Sequence, residues 1–171
     1  SLQKVADNCL LQHSREHLLN GHVINHSEGR PAEHAQWRLS CQHQTPPSLQ
    51  QLLALAAHIR SRQNISHIVH IGIGGSSLGP DLALQALTPW CNSHQEIRIV
   101  SNLDGHDLQE KLQGLKPQNT LFIVVSKSWG THETLRNAKS ALQWFQSQGG
   151  MDVNQHFVAV TSRPALAAQL G

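Results

Sequence analysis

The sequence predicts an α/β fold, a three-layer α/β/α sandwich around a parallel sheet, preceded by an N-terminal helical segment. Three observations carry the prediction. The runs HIVHIGI (67–73), EIRIVS (96–101), TLFIVVS (120–126) and HFVAVT (156–161) are each apolar along most of their length, as strands buried on both faces are. A helix-compatible segment lies between each run and the next, so the strands are joined by crossovers, which should be right-handed. Before residue 62 the apolar positions fall at helical spacing instead.

Taken in order, Leu2, Val5, Cys9 or Leu10 and Leu18 or Leu19 suit a helix over 2–19, closed by Asn20 and Gly21. Pro31 reads as a helix start, with Glu33 to Leu39 continuing it. CQHQTPPS (41–48) reads as a loop whose last residue, Ser48, caps a helix with Leu49, Leu52, Leu53, Ala56 and Ile59 or Arg60 on one face. The strands then alternate with helices over 77–87, 107–115, 131–146 and 163–170. This places a helical segment at 1–62 and an α/β domain at 63–171. The alternation stops at Gly171 without a closing strand, so the unit looks cut rather than finished.

Composition narrows the function. With 171 residues and 39% hydrophobic content the chain can bury one core of ordinary size. Thirteen basic against 11 acidic residues, without a clustered basic face, give no reason to expect nucleic acid, and 4% aromatic content weakens base stacking further. Three widely spaced cysteines, Cys9, Cys41 and Cys91, form neither a disulfide framework nor a zinc knuckle, which fits a reducing cytoplasm. No run approaches the length of a membrane span, and the first 19 residues lack the unbroken apolar core of a signal peptide. Six of the 13 histidines, His13, His17, His22, His26, His34 and His43, come early. His13 and His17 could share a helix face, but HSREH is not a metalloprotease pattern and no third ligand stands out, so a solvated histidine face is expected and no metal site.

The chemistry-bearing stretch is HIVHIGIGGSSLGP (67–80), a strand that delivers two adjacent glycines and two serines to a helix start. A dinucleotide fingerprint would need a third glycine at Ser77 and an acid at the end of the next strand, where Ser101 and Asn102 stand; Asp104 lies beyond it. A P-loop would need a GK[ST] that is absent. The third strand ends in VVSKSWGTHET (124–134), which brings Ser126, Ser128, Thr131 and Thr134 hydroxyls and Lys127 to another helix start. Such residues are often no more than caps. Two such loops at equivalent strand ends, beyond the carboxyl edge of a parallel sheet, point instead to phosphate, and together to a small phosphorylated polyol.

These residues also carry a resemblance. IGIGGSSLGP, VSNLDG (100–105) and SKSWGTHET (126–134), with INHSEGR (24–30), resemble the glucose-6-phosphate isomerase family in order and spacing. The resemblance implies a sugar-isomerase (SIS) domain of flavodoxin-like layout and no cofactor. It implies that Ser126, Ser128 and Thr131 hold the substrate phosphate, with Lys127 contributing mainly its backbone amide. Gly75 and Ser76 would lie against the sugar, and Glu133 and Thr134 would support the site. Ser128 stands where threonine is usual, Trp129 where phenylalanine is usual, Gly130 and Ser27 each where threonine is usual, and 31–37 follows the family only loosely.

The family interconverts glucose 6-phosphate and fructose 6-phosphate through ring opening and a cis-enediol, in glycolysis and gluconeogenesis, as a cytosolic homodimer. Its base glutamate, ring-opening histidine and a lysine and arginine lie downstream of the matched motifs, so no catalytic residue is expected within 1–171. His70, on a buried strand, is expected to be a satisfied core histidine rather than a substitute, and Glu133 is not assigned as the base. The chain thus reads as an N-terminal, phosphosugar-binding portion of such an enzyme, inactive alone. A non-catalytic sugar-phosphate sensor of the same fold is the alternative, for which a basic helix-turn-helix upstream would be the mark; residues 1–60 show none.

Overall fold

The structure is a computed structural model, and it describes residues 4–5, 11–23, 29, 31, 33–43, 45–91 and 93–170. Except for Gly29, the INHSEGR segment lies outside the described residues, as do Cys9 and His26. The chain divides into two compact units, Ser1–His58 and Ile59–Gly171.

In the first unit, helix α1 (Leu11–Leu19) ends where Gly21 adopts a left-handed conformation, φ 71°. The His13 and His17 rings on α1 lie 3.9 Å apart, and His22 stands 4.7 Å from His17. Desolvation and the neighbouring His13 and His22 charges hold the His17 imidazole below its ordinary pKa. Helix α2 (His34–His43) runs on through residues 41–43, which the sequence assigned to a loop. Helix α3 (Pro47–Ser61) begins at Pro47, so Ser48 sits inside the first turn rather than capping it; proline, with φ already set and no N–H to lose, takes the first helical position.

The second unit is a four-stranded parallel sheet of β1 (His67–Ile71), β2 (Glu96–Val100), β3 (Thr120–Val125) and β4 (Phe157–Val160), in the order β2-β1-β3-β4. Helices α4 (Gly75–Leu87), α5 (Gly105–Leu112) and α6 (His132–Ser147) make the crossovers. One-turn helices α7 (Val153–His156) and α8 (Pro164–Ala167) flank β4, and short 3-10 turns at Thr88–Trp90 and Pro117–Asn119, absent from the sequence reading, lead into β2 and β3.

Alternation along the strands sorts the two faces. Val69 and Ile71 of β1, Val100 of β2 and Phe122 and Val124 of β3 pack with Leu108 and Leu112 of α5 and Ala138, Ala141 and Phe145 of α6. Ile68, His70, Ile97, Ile99 and Ile123 turn the other way, toward Pro80, Leu84 and Leu87 of α4, across a cleft of about 330 Å³. Helices on both faces make the three layers.

All three phenylalanines meet in the core: Phe122 stacks on Phe157 at 4.5 Å, and Phe145 meets both rings edge-on. The ends of α5 differ from the sequence reading for local reasons. Asp104 accepts from His106 N at 2.9 Å and starts the helix two residues early, and Arg98 Nη1 closes it by donating to the carbonyls of Lys111 and Gln113 at 2.9 and 3.0 Å. His156 ends α7 instead of opening β4, because its Nδ1 donates to Thr120 O at 2.7 Å.

Replacing Phe122, fully buried among these rings, by alanine should destabilise the chain by about 3–5 kcal/mol. Urea titration followed by circular dichroism reads it; a loss under about 1 kcal/mol would mean that the aromatic cluster does not hold the sheet to α6.

Candidate functional site

Two loops leave the carboxyl ends of neighbouring strands. Because β1 and β3 pair directly, with Ile71 opposite Val124, their loops start about 4.8 Å apart. These strands are adjacent in the sheet but not in the chain. The chain crosses to the opposite face between them, since α4 lies on one side and α5 and α6 on the other, and such a reversal opens a crevice at the carboxyl edge.

The loop after β1 is closed tightly against its own strand. A Cβ on Gly72 would stand 2.9 Å from Ser76 O and 3.2 Å from His70 Nε2, so only glycine fits. Gly74 adopts φ 56° and ψ −123°, a backbone region reserved for glycine. Helix α4 then contains Pro80, which has no N–H to give to the carbonyl of Ser76 one turn back. His70 fills that vacancy: its Nε2 lies 2.8 Å from Ser76 O and, facing a carbonyl, must carry the proton. His70 is therefore a buried histidine with a satisfied nitrogen, and its partner is the loop itself. Gly75 is exposed, Ser76 half-buried, and buried Ser77 bonds Gly74 O at 3.1 Å.

The loop after β3 gathers hydroxyls at the first turn of α6. Ser126 is buried, and its Oγ lies 3.4 Å from Thr131 Oγ1. Thr131 occupies the N-cap position of α6 but makes no side-chain cap bond; its Oγ1 accepts from Ser126 Oγ, and its own hydroxyl proton is left to donate. Thr134, 1% exposed, has a hydroxyl with no hydrogen-bond partner among the described residues. A buried hydroxyl left without a partner costs stability. Ser128 and Glu133 are half-buried, and Lys127 is exposed. Trp129 holds a left-handed φ of 51° while its ring is buried in the core cluster, which anchors the turn closed by Trp129 N on Ser126 O at 3.2 Å.

Two neighbouring segments brace this loop, and the sequence reading missed both contacts. Asn137 of α6 donates to Asn102 O at 2.8 Å, tying down the loop after β2. At the end of β4, Ser162 N and Oγ reach Lys127 O at 3.0 and 2.6 Å, and Thr161 Oγ1 reaches it at 3.3 Å. The signal was present as hydroxyls at a strand end, TSRP (161–164), but only the pairing of β4 with β3 shows what they touch. Asp104, the acid that a ribose would have needed, is committed to capping α5.

The arrangement offers amides, hydroxyls and the positive end of the 16-residue α6, a set suited to an anion with several oxygens. Among the described residues, no group of three histidine, cysteine or acidic side chains could hold a metal ion.

The family model for phosphoglucose isomerase matches residues 1–171. A glucose-6-phosphate isomerase of Polaromonas naphthalenivorans is 37% identical over 99% of the chain and 36% of its own length. That of Albidiferax ferrireducens is 45% identical over 75% of the chain and 25% of its own length. The crystal structure of a glucose-6-phosphate isomerase from Chlamydia trachomatis superposes with a TM-score of 0.77 at 33% identity, over 95% of this chain and 34% of that one. The chain thus spans between a quarter and about a third of the length of these relatives.

Because His70 replaces the donor that Pro80 lacks, His70→Leu should cost about 1–3 kcal/mol by leaving Ser76 O without its partner. His70→Gln, which keeps a side-chain donor, should lose clearly less. Equal losses in urea titrations of the two variants would contradict the role assigned to the histidine bond.

Proposed function

This chain belongs to the phosphoglucose isomerase family, and from that premise we propose that it is the phosphosugar-binding N-terminal portion of a glucose-6-phosphate isomerase. The observation that carries the proposal is the pair of hydroxyls at the start of α6, Ser126 and Thr131, whose oxygens lie 3.4 Å apart.

A sugar phosphate near neutral pH brings a charge of about −1.5 to −2 on three strong acceptor oxygens. Ser126, Ser128 and Thr131 donate hydroxyls to it, the Lys127 amide adds a further donor, and the α6 dipole stabilises the charge without a buried cation. Glu133 and Thr134 support the first turn. The sugar then extends toward the neighbouring strand end, where Gly75 has no side chain to block approach and Ser76 offers a hydroxyl.

The activity of the whole enzyme is the interconversion of glucose 6-phosphate and fructose 6-phosphate through a cis-enediol, in glycolysis and gluconeogenesis. Proton transfer between C1 and C2 needs a positioned base and stabilisation of the developing enediolate oxygen. In this reading the portion spanned here fixes the phosphate and the sugar chain, and the base comes from the part of the family's sequence beyond it. Residues 63–171 form the SIS domain and 1–62 the helical segment. The protein works in the cytoplasm without a cofactor, nucleic acid or a membrane; no described helix is long and apolar enough to cross one. A homodimer of the whole enzyme is supported by α4, which leaves Leu78 and Leu82, one turn apart on the same face, more than half exposed and in need of a cover.

Isothermal titration should show that Ser126→Ala combined with Thr131→Ala weakens fructose 6-phosphate binding by ~10-fold or more, the size expected for hydrogen bonds to a charged group. Unchanged affinity would remove the phosphate assignment. A coupled assay on the 171-residue chain should show no isomerisation; measurable turnover would mean that the reacting groups are already present.

A further inference from the structure

We propose that Thr161 and Ser162, at the end of β4, are positioning residues that aim and polarise the Ser128 amide as a ligand for the phosphate of a sugar phosphate. The inference rests on reading the β3 loop as the phosphate site, and it assigns a task to the end of β4, outside the β1 and β3 loops.

Three donors converge on one oxygen. Lys127 O accepts from Ser162 N at 3.0 Å, from Ser162 Oγ at 2.6 Å and from Thr161 Oγ1 at 3.3 Å. Thr161 Oγ1 itself accepts from Arg163 N at 3.0 Å, so a lone pair is used by the chain entering α8 and the hydroxyl proton is left for Lys127. One rung earlier, Ser126 N donates to Val160 O at 3.1 Å, which continues the β3–β4 pairing up to the loop. The Lys127 carbonyl is thus locked onto β4.

Locking that carbonyl fixes the amide on its other side. The peptide group is planar and trans, so the Lys127 C=O and the Ser128 N–H point in opposite directions. With the oxygen held on the β4 side, the N–H is turned away from β4. Among the described residues it has no hydrogen-bond partner. Hydrogen bonds accepted by a carbonyl also polarise its amide and make the N–H a stronger donor. An amide left free, held in direction and polarised suits an anionic oxygen better than a neutral one. The residue that follows, Trp129, is left-handed and buried, and its N–H donates to Ser126 O at 3.2 Å, which holds the turn around Ser128.

The experiment titrates inorganic phosphate and, separately, fructose 6-phosphate into the ¹⁵N-labelled chain, comparing wild type with Thr161→Val, Ser162→Ala, the double variant and Ser162→Thr. The double variant should bind both probes ~3–10-fold more weakly, the fold-change that one or two neutral hydrogen bonds convert to. In the ligand-free protein its Ser128 amide proton should move upfield, and Ser162→Thr, which keeps the hydroxyl, should restore both properties. A folded double variant with wild-type affinity overturns the proposal. So does weakened binding with an unmoved Ser128 resonance, which would mark a purely structural effect. Wild type that binds neither probe removes the phosphate site along with this inference, whereas binding that is lost in Ser126→Ala but intact in the double variant removes this inference alone.

Discussion

The parallel pairing of β1 with β3 is the constraint on which the rest depends. These strands are separated in sequence by β2 and two helices, and their direct pairing places the glycine-serine loop next to the hydroxyl loop. Parallel strands put both loops at the same edge of the sheet, and the change of face between them leaves that edge open. Removing the pairing would leave two ordinary helix starts. With it, one ligand long enough to carry a phosphate and several hydroxylated carbons can touch both.

Each loop is then held by a bond that substitutes for, or adds to, regular secondary structure. On the β1 side, Pro80 removes a helical donor and His70 supplies another from the strand beneath, so strand, turn and helix share one hydrogen bond. On the β3 side, the β4 end fastens Lys127 O, Asn137 fastens the β2 loop, and Trp129 pins the turn into the core. Loops held this way would give up little conformational entropy to a ligand. The cost sits in strained or orphaned groups, the left-handed Trp129 and the unpartnered Thr134 hydroxyl.

The order and type of the main elements were legible because apolar runs and helical spacing are local signals. Their edges were less so where one side chain decides: Pro47 displaced Ser48 from its expected cap, Asp104 started α5 early, and residues 41–43 joined a helix despite the nearby prolines. The two loops were readable as GIGGSS and SKSWGTHET, but strand order, and with it their meeting, depends on pairing between distant residues. For the same reason His70 was correctly expected to be buried and bonded, while its link to Ser76 and Pro80 was invisible. Thr161 and Ser162 looked like the tail of a strand until β4 was seen beside β3. Glu133 lies half-buried in the first turn of α6, as a helix-start acid does.

The central claim is that the two loops form one phosphosugar site, and amide chemical-shift mapping tests it most directly. Fructose 6-phosphate should shift the amides of Gly75 and Ser76 together with those of Ser126, Lys127, Ser128 and Thr131, all along a single saturation curve, while inorganic phosphate should shift the second group alone. Shifts confined to one loop for both ligands, or separate saturation curves for the two loops, would contradict it.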